Sequence, residues 1–137
     1  MATTFITTHT ISAGIPVTLA NGDDALIAQG IILGSTDATA LYGVDSNHRV
    51  TVLGTVHGAD HGIFLGNDAT LDAGQQVVVG TSGVVSAAYF AVQLYGNSSS
   101  VTNQGLISSA DTAVRLNGNN SSMTNQGLIS GGYYAVI

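Results

Sequence analysis

Residues 91–112 read AVQLYGNSSSVTNQGLISSADT, residues 113–134 read AVRLNGNNSSMTNQGLISGGYY, and 14 of the 22 aligned positions are identical. A third copy opens at Ala135-Val136-Ile137. A fixed period of this length constrains the fold more than any single residue does. Each unit is too short to bury an apolar face alone, so it must stack on its neighbours, and the chain becomes a solenoid.

The period continues upstream in weaker form. Moving back 22 positions from Val101–Ser108 places Val79 under Val101, Gly83 under Gly105 and Val84-Val85 under Leu106-Ile107. Moving back 51 places Val50, Thr51, Gly54 and Val56 under Val101, Thr102, Gly105 and Ile107. The same shift places Ile63 and Leu65 under Val114 and Leu116. Coils therefore start near Ala40, Gly62, Ala91, Ala113 and Ala135, with spacings of 22, 29, 22 and 22. The seven extra residues of the long coil are expected in the polar stretch Asn67–Gln76. On this reading residues 40–137 are solenoid coils and residues 1–39 a degenerate N-terminal coil or cap, since terminal repeats are often atypical.

The coils read as strands. Short runs such as Ala91–Leu94 and Ala113–Leu116 alternate apolar and variable positions, and Gly, Asn and Ser bound them. No window sustains a helical stripe, and Lys and Glu, both good helix formers, are absent. Two or three short strands fill one coil, and each coil rises by about 4.7–4.9 Å. The expected fold is all-β: a single-stranded parallel β-helix of five to six coils with about 22 residues each.

Stacking dictates the core. Val92 should sit against Val114, Leu94 against Leu116, and Ile107 against Ile129, with Val101 also inside. Each buried methylene contributes about 0.8 kcal/mol. Position 106 varies more between coils, which places 107 inward and 106 nearer the surface. Asn103 and Asn125 recur in an unchanged Asn-Gln-Gly segment. They are expected to stack as an amide ladder, with solvent-facing turn asparagines as the alternative.

Composition narrows the function classes. The chain has eight acidic residues, all Asp, only Arg49 and Arg115 as fixed cations, and a formal net charge of −6. That is no footprint for nucleic acid or for an anionic membrane surface. No run of 18 apolar residues suggests a transmembrane helix. The opening residues MATTFITTHTISAGIP lack the basic and apolar regions of a signal peptide. With no cysteine, disulfides and thiolate metal sites are out.

The pattern AVxLxGxxSxxTNQGLIS resembles the Gly/Asn/Ser-rich coil of bacterial secreted β-helix proteins: autotransporter passengers, filamentous haemagglutinins and type I-secreted adhesins. The likeness is clear over 79–137, fair over 40–78 and poor before that. It implies a right-handed helix and a secreted or cell-surface location without an N-terminal signal peptide. The third copy stops mid-coil, so this stretch is expected to be the N-terminal part of a longer repeat protein. The scaffold itself does not specify an activity.

Candidate chemistry is sparse. Gly22-Asp23-Asp24 and Gly66-Asn67-Asp68 resemble halves of a calcium-binding nonapeptide, making Asp23, Asp24 and Asp68 calcium candidates. Each is single, whereas the motif works as an array, so they are read as turns and no cofactor is expected. His57 and His61 flank Asp60 in HGADH, but on a strand they stand about 13 Å apart, so surface histidines are the plainer reading. No enzyme is expected: Arg49 and Arg115 fall in different columns, and paired carboxylates need a defined separation across a cleft.

Three functions remain. The first is a structural, self-associating or adhesive module of an extracellular bacterial surface protein or filament. Its partners would be further coils of the same protein, or a second copy meeting the edge Ala135-Val136-Ile137. The second is a carbohydrate-binding or polysaccharide-cleaving β-helix, with surface glycans as partners. An exposed aromatic row drawn from Tyr42, Phe64, Tyr89, Phe90, Tyr95, Tyr133 and Tyr134 would favour it. The third is an ice-binding solenoid, which needs a threonine ladder repeated in every coil. Thr3, Thr4, Thr7, Thr8 and Thr10 do not recur in that way.

Overall fold

The computed structural model describes residues 1–137, which form eighteen short strands and no helix. Three strands make one turn of the chain, here called a rung. The first rung is β1 (Thr3–Ile6), β2 (Thr10–Ser12) and β3 (Val17–Leu19). The second is β4 (Asp24–Ile27), β5 (Ile32–Ser35) and β6 (Leu41–Gly43). The third is β7 (Arg49–Val52), β8 (Thr55–Gly58) and β9 (His61–Leu65). The fourth is β10 (Gln76–Val79), β11 (Val84–Ala87) and β12 (Phe90–Tyr95). The fifth is β13 (Ser100–Asn103), β14 (Leu106–Ser109) and β15 (Thr112–Asn117). The sixth is β16 (Ser122–Asn125), β17 (Leu128–Gly131) and β18 (Tyr134–Val136).

Every third strand pairs in parallel, giving three six-stranded sheets. The first runs β1-β4-β7-β10-β13-β16, the second β2-β5-β8-β11-β14-β17, and the third β3-β6-β9-β12-β15-β18. This is a parallel β-solenoid of six rungs. The N-terminal 39 residues supply one whole rung and most of a second, all in register with the rest.

The core is built from columns. Val17, Leu41, Ile63, Val92, Val114 and Val136 share one. Leu33, Val56, Val85, Ile107 and Ile129 share another. Val92, Leu94, Val101, Ile107 and Val114 are fully buried, while Leu116 and Ile129 are partly buried against the same cluster. Those two lie toward the last rung, where stacking covers them from one side. Leu106 is half-buried on the outer face.

One alignment changes. Val101 stands over Val77, and Val79 stands under Asn103, so the 22-residue shift that placed Val79 under Val101 fails in the first sheet. The inserted residues are divided. The connection from Leu65 to Gln76 is five residues longer than that from Leu94 to Ser100, and the corner from Val79 to Val84 is two longer than that from Asn103 to Leu106. The seven extra residues therefore do not all lie in Asn67–Gln76. A strand pair tolerates no partial slip, because one step would send inward side chains outward. Length differences can only be absorbed at corners.

The corner between the first and second sheets is tight. Gly54, Gly83, Gly105 and Gly127 occupy it, and a Cβ on Gly105 would stand 2.2 Å from the Gly83 oxygen of the rung below. None of the four has a positive φ, so close approach of rungs, not turn geometry, demands glycine. The corner from third to first sheet is looser and holds Asp45, Asn47, Ser98 and Asn120 at φ 56–64°. Asn and Asp accept that left-handed region more readily than most residues.

Candidate functional site

Two corners bring polar side chains into the core. At the first, Asn103 is fully buried. Its Nδ2 donates to Asn125 Oδ1 at 2.9 Å and to the Leu128 carbonyl at 3.0 Å, and its Oδ1 accepts from Gly105 N–H at 3.1 Å. Asn125 repeats the turn, its Oδ1 accepting from Gly127 N–H at 3.1 Å. Outside them Gln104 Nε2 donates to Gln126 Oε1 at 3.2 Å. At the second corner, between third and first sheets, His48, Gln75 and Ser99 are buried one above another. The His48 ring nitrogens lie against backbone carbonyls, Nδ1 at 2.7 Å from Asp23 O and Nε2 at 2.5 Å from Val44 O. Gln75 Oε1 accepts from His48 N–H at 3.2 Å, and its Nε2 donates to Asp45 O. Ser99 Oγ donates to Gly96 O at 2.9 Å. Sequence reasoning missed this second column, whose members share no side-chain type.

The carboxylates considered for calcium serve the backbone. Asp23 Oδ1 accepts from Ala2 N–H and Asp24 Oδ1 from Arg49 N–H, both at 2.8 Å. Asp68 Oδ1 accepts from Thr70 N–H at 2.8 Å, Thr70 Oγ1 at 2.7 Å and Leu71 N–H at 3.0 Å. Those bonds, the Thr70 hydroxyl first, hold its carboxyl below the ordinary aspartate value. Asp23 precedes β4, Asp24 is its first residue and Asp68 is in the inserted loop, so Asp68 is not brought together with the other two.

The histidines of HGADH face different neighbours. His57 Nδ1 lies 2.8 Å from Ser86 Oγ on the second sheet. His61 is on the third sheet, with Nε2 2.9 Å from Gln93 Oε1. Its Nδ1 lies 3.0 Å from Asp60 Oδ2 without the alignment of a hydrogen bond.

Four of the seven aromatic candidates form a row on the outer face of the third sheet. Phe64 meets Tyr42 and Tyr95 edge-on at 5.4 and 5.3 Å and stacks with His61 at 5.2 Å. Phe90 stacks with His61 at 5.3 Å and lies 5.4 Å beneath the Arg115 guanidinium. These half-buried rings pack on one another as a satellite cluster. Tyr89, Tyr133 and Tyr134 stand apart and exposed, at or beside the corner joining second and third sheets. Arg49 lies on the first sheet and Arg115 on the third.

The outer threonine column of the first sheet reads Phe5, Leu26, Thr51, Val78, Thr102, Thr124, so threonine is not kept in every rung. A cleft of about 520 Å³ opens between Ala69-Thr70 of the inserted loop and Asn97, Asn117 and Asn119 of the later turns. Asn97 Oδ1 is already engaged there by Asn119 N–H at 2.7 Å.

Comparison with protein-family models, with curated proteins and with solved structures found no match.

Proposed function

We propose that this chain is a structural stacking module of an extracellular bacterial surface protein or filament, self-associating or adhesive through its repeating rungs. The observation that supports this reading is the in-register, like-on-like column. One rung presents to the next the same three-strand edge and the same apolar centre, so further rungs can be added without new chemistry. The sixth rung carries that surface outward: Met123 and Ile129 are partly buried, and Val136 is 41% and Ile137 48% exposed. A parallel strand edge above an apolar core is a template for another chain. A head-to-tail contact of this kind does not close and would propagate.

The test is sedimentation velocity of the 137-residue chain at tens of micromolar. The expected result is association that Val136→Asp abolishes, because a carboxylate at the growing column would be buried without a partner. A monomer unchanged by Val136→Asp would overturn the self-associating part of the reading.

A further inference from the structure

We propose that the corner between the second and third sheets is a docking row for an extended, neutral, β-linked polysaccharide. This goes beyond the stacking reading and needs no end-to-end contact. The corner holds two residues between Ala87 and Phe90, between Ser109 and Thr112, and between Gly131 and Tyr134, and these flanking residues pair in register. Tyr89, Asp111 and Tyr133 therefore occupy one column in successive rungs. Tyr89 is 57% and Tyr133 80% exposed.

The backbone of the row is tied from rung to rung. Thr112 N–H donates to Tyr89 O and Tyr133 N–H to Asp111 O, both at 2.9 Å. Ser109 Oγ donates to Tyr89 O at 2.6 Å and accepts from Asp111 N–H at 3.1 Å. Thr112 Oγ1 donates to Asp111 Oδ1 at 3.1 Å, which ties one carboxylate oxygen to the start of the next strand.

A pyranose ring has an apolar C–H face and a rim of hydroxyl donors. Tyr89 and Tyr133 offer large amphipathic surfaces to the former, and Asp111 offers a charged acceptor to the latter. Two rungs of about 4.7–4.9 Å separate the tyrosines, roughly 9.5 Å. That is close to one disaccharide step of an extended β-linked chain. A repeating polymer lying along the solenoid axis would thus meet one tyrosine per disaccharide, with Asp111 between.

Charge selects among polymers. The net charge of −6 opposes an acidic one. A basic peptide would meet Asp60 and Asp111, but also the Arg115 guanidinium held over Phe90, next to Tyr89. It would make no use of the two-rung spacing.

Affinity electrophoresis tests this, with hydroxyethylcellulose and glycol chitin as neutral β-linked probes and dextran as a polymer without an extended ribbon. Retardation is expected in at least one β-linked gel and not in dextran. Tyr89→Ala and Tyr133→Ala should each weaken it about tenfold, Tyr89→Phe should retain it, and the double alanine variant should abolish it. Both tyrosines are exposed, so melting curves and sedimentation should match the parent chain, which separates this result from any change in self-association. No retardation by either β-linked polymer, equal retardation by dextran, or retardation that the double variant keeps would overturn the proposal. So would poly-lysine binding that Asp111→Asn removes in the absence of glycan binding.

Discussion

The two polar corners of the core solve the same problem differently. At the Asn103 corner two rungs use the same residue: the Asn103 amide serves the next rung as well as its own turn, and the Asn125 amide accepts from Asn103 and repeats the turn. At the His48 corner three successive rungs use His48, Gln75 and Ser99, and each side chain mainly serves backbone carbonyls of loops. Loop length accounts for the difference. Around Asn103 and Asn125 the corner keeps two residues between strands, Gln104-Gly105 and Gln126-Gly127, so one solution can be copied. Between third and first sheets the connection lengthens sharply from Leu65 to Gln76, and neighbouring loops present their carbonyls at different places. Each buried polar side chain there must fit its own loop, because an unpaired buried carbonyl is costly.

The sharpest break of this comparison is at His48. His48→Ala would leave the Asp23 and Val44 carbonyls without their imidazole. It would also open a void beside Gly43, where a Cβ would stand 2.9 Å from the His48 ring. A loss of about 3 kcal/mol is expected in urea unfolding followed by circular dichroism. His48→Gln, which imports the residue of the next rung, should recover only part of it, because the carbonyls of this loop are placed for a ring. Full recovery would mean that the corner is generic after all.

The Asn corner should behave in the opposite way. Its column reads Ile6, Ile27, Val52 and Val79 before it becomes Asn103 and Asn125. Asn103→Val alone removes donors and acceptors from Asn125, Leu128 and Gly105, and should cost about 1–3 kcal/mol. Asn103→Val with Asn125→Val returns the column to the chemistry of the earlier rungs. The pair should cost less than the sum of the single changes, with a coupling of at least about 0.5 kcal/mol in a double-mutant cycle. Strict additivity would show that the amides act as separate turn caps and not as a ladder.

The same contrast explains what could be read before the structure. Copied features were legible: the columns Val92–Val114 and Leu94–Leu116, Ile107 inward with Leu106 outward, and the glycine that recurs at 54, 83, 105 and 127. Each position is reinforced by a neighbour in the same place one period away. Customised features were not. Val79 resembles Val101 closely enough to be aligned with it, and only a two-residue difference in the following corner moves it under Asn103. His48, Gln75 and Ser99 share no side-chain type, so no column is visible in their letters. The aromatic row was legible as a list and not as a geometry. Tyr42, Phe64, Phe90 and Tyr95 gather on one face, but their contacts with each other depend on rotamers that periodicity does not encode.

The smallest effect belongs to the inserted loop, the extreme case of a customised corner. Asp68 folds it locally through three hydrogen bonds from Thr70 and Leu71, which depress its carboxyl below the ordinary value. A depressed folded-state value means that the carboxylate's contribution is complete above the ordinary aspartate range and is lost as pH falls through the depressed one. Because Asp68 lies at the surface of a loop, the change should stay local. The protection factors of the Thr70 and Leu71 amides, taken against the intrinsic exchange rate at each pH, should fall on acidification while those of Ile63 and Val92, in the core columns, remain high. In Asp68→Asn the protection of the two loop amides should be low already at neutral pH and should not fall further on acidification. If the core amides loosen together with the loop, the insertion is coupled to the columns, and the division between copied core and customised corner is wrong at this point.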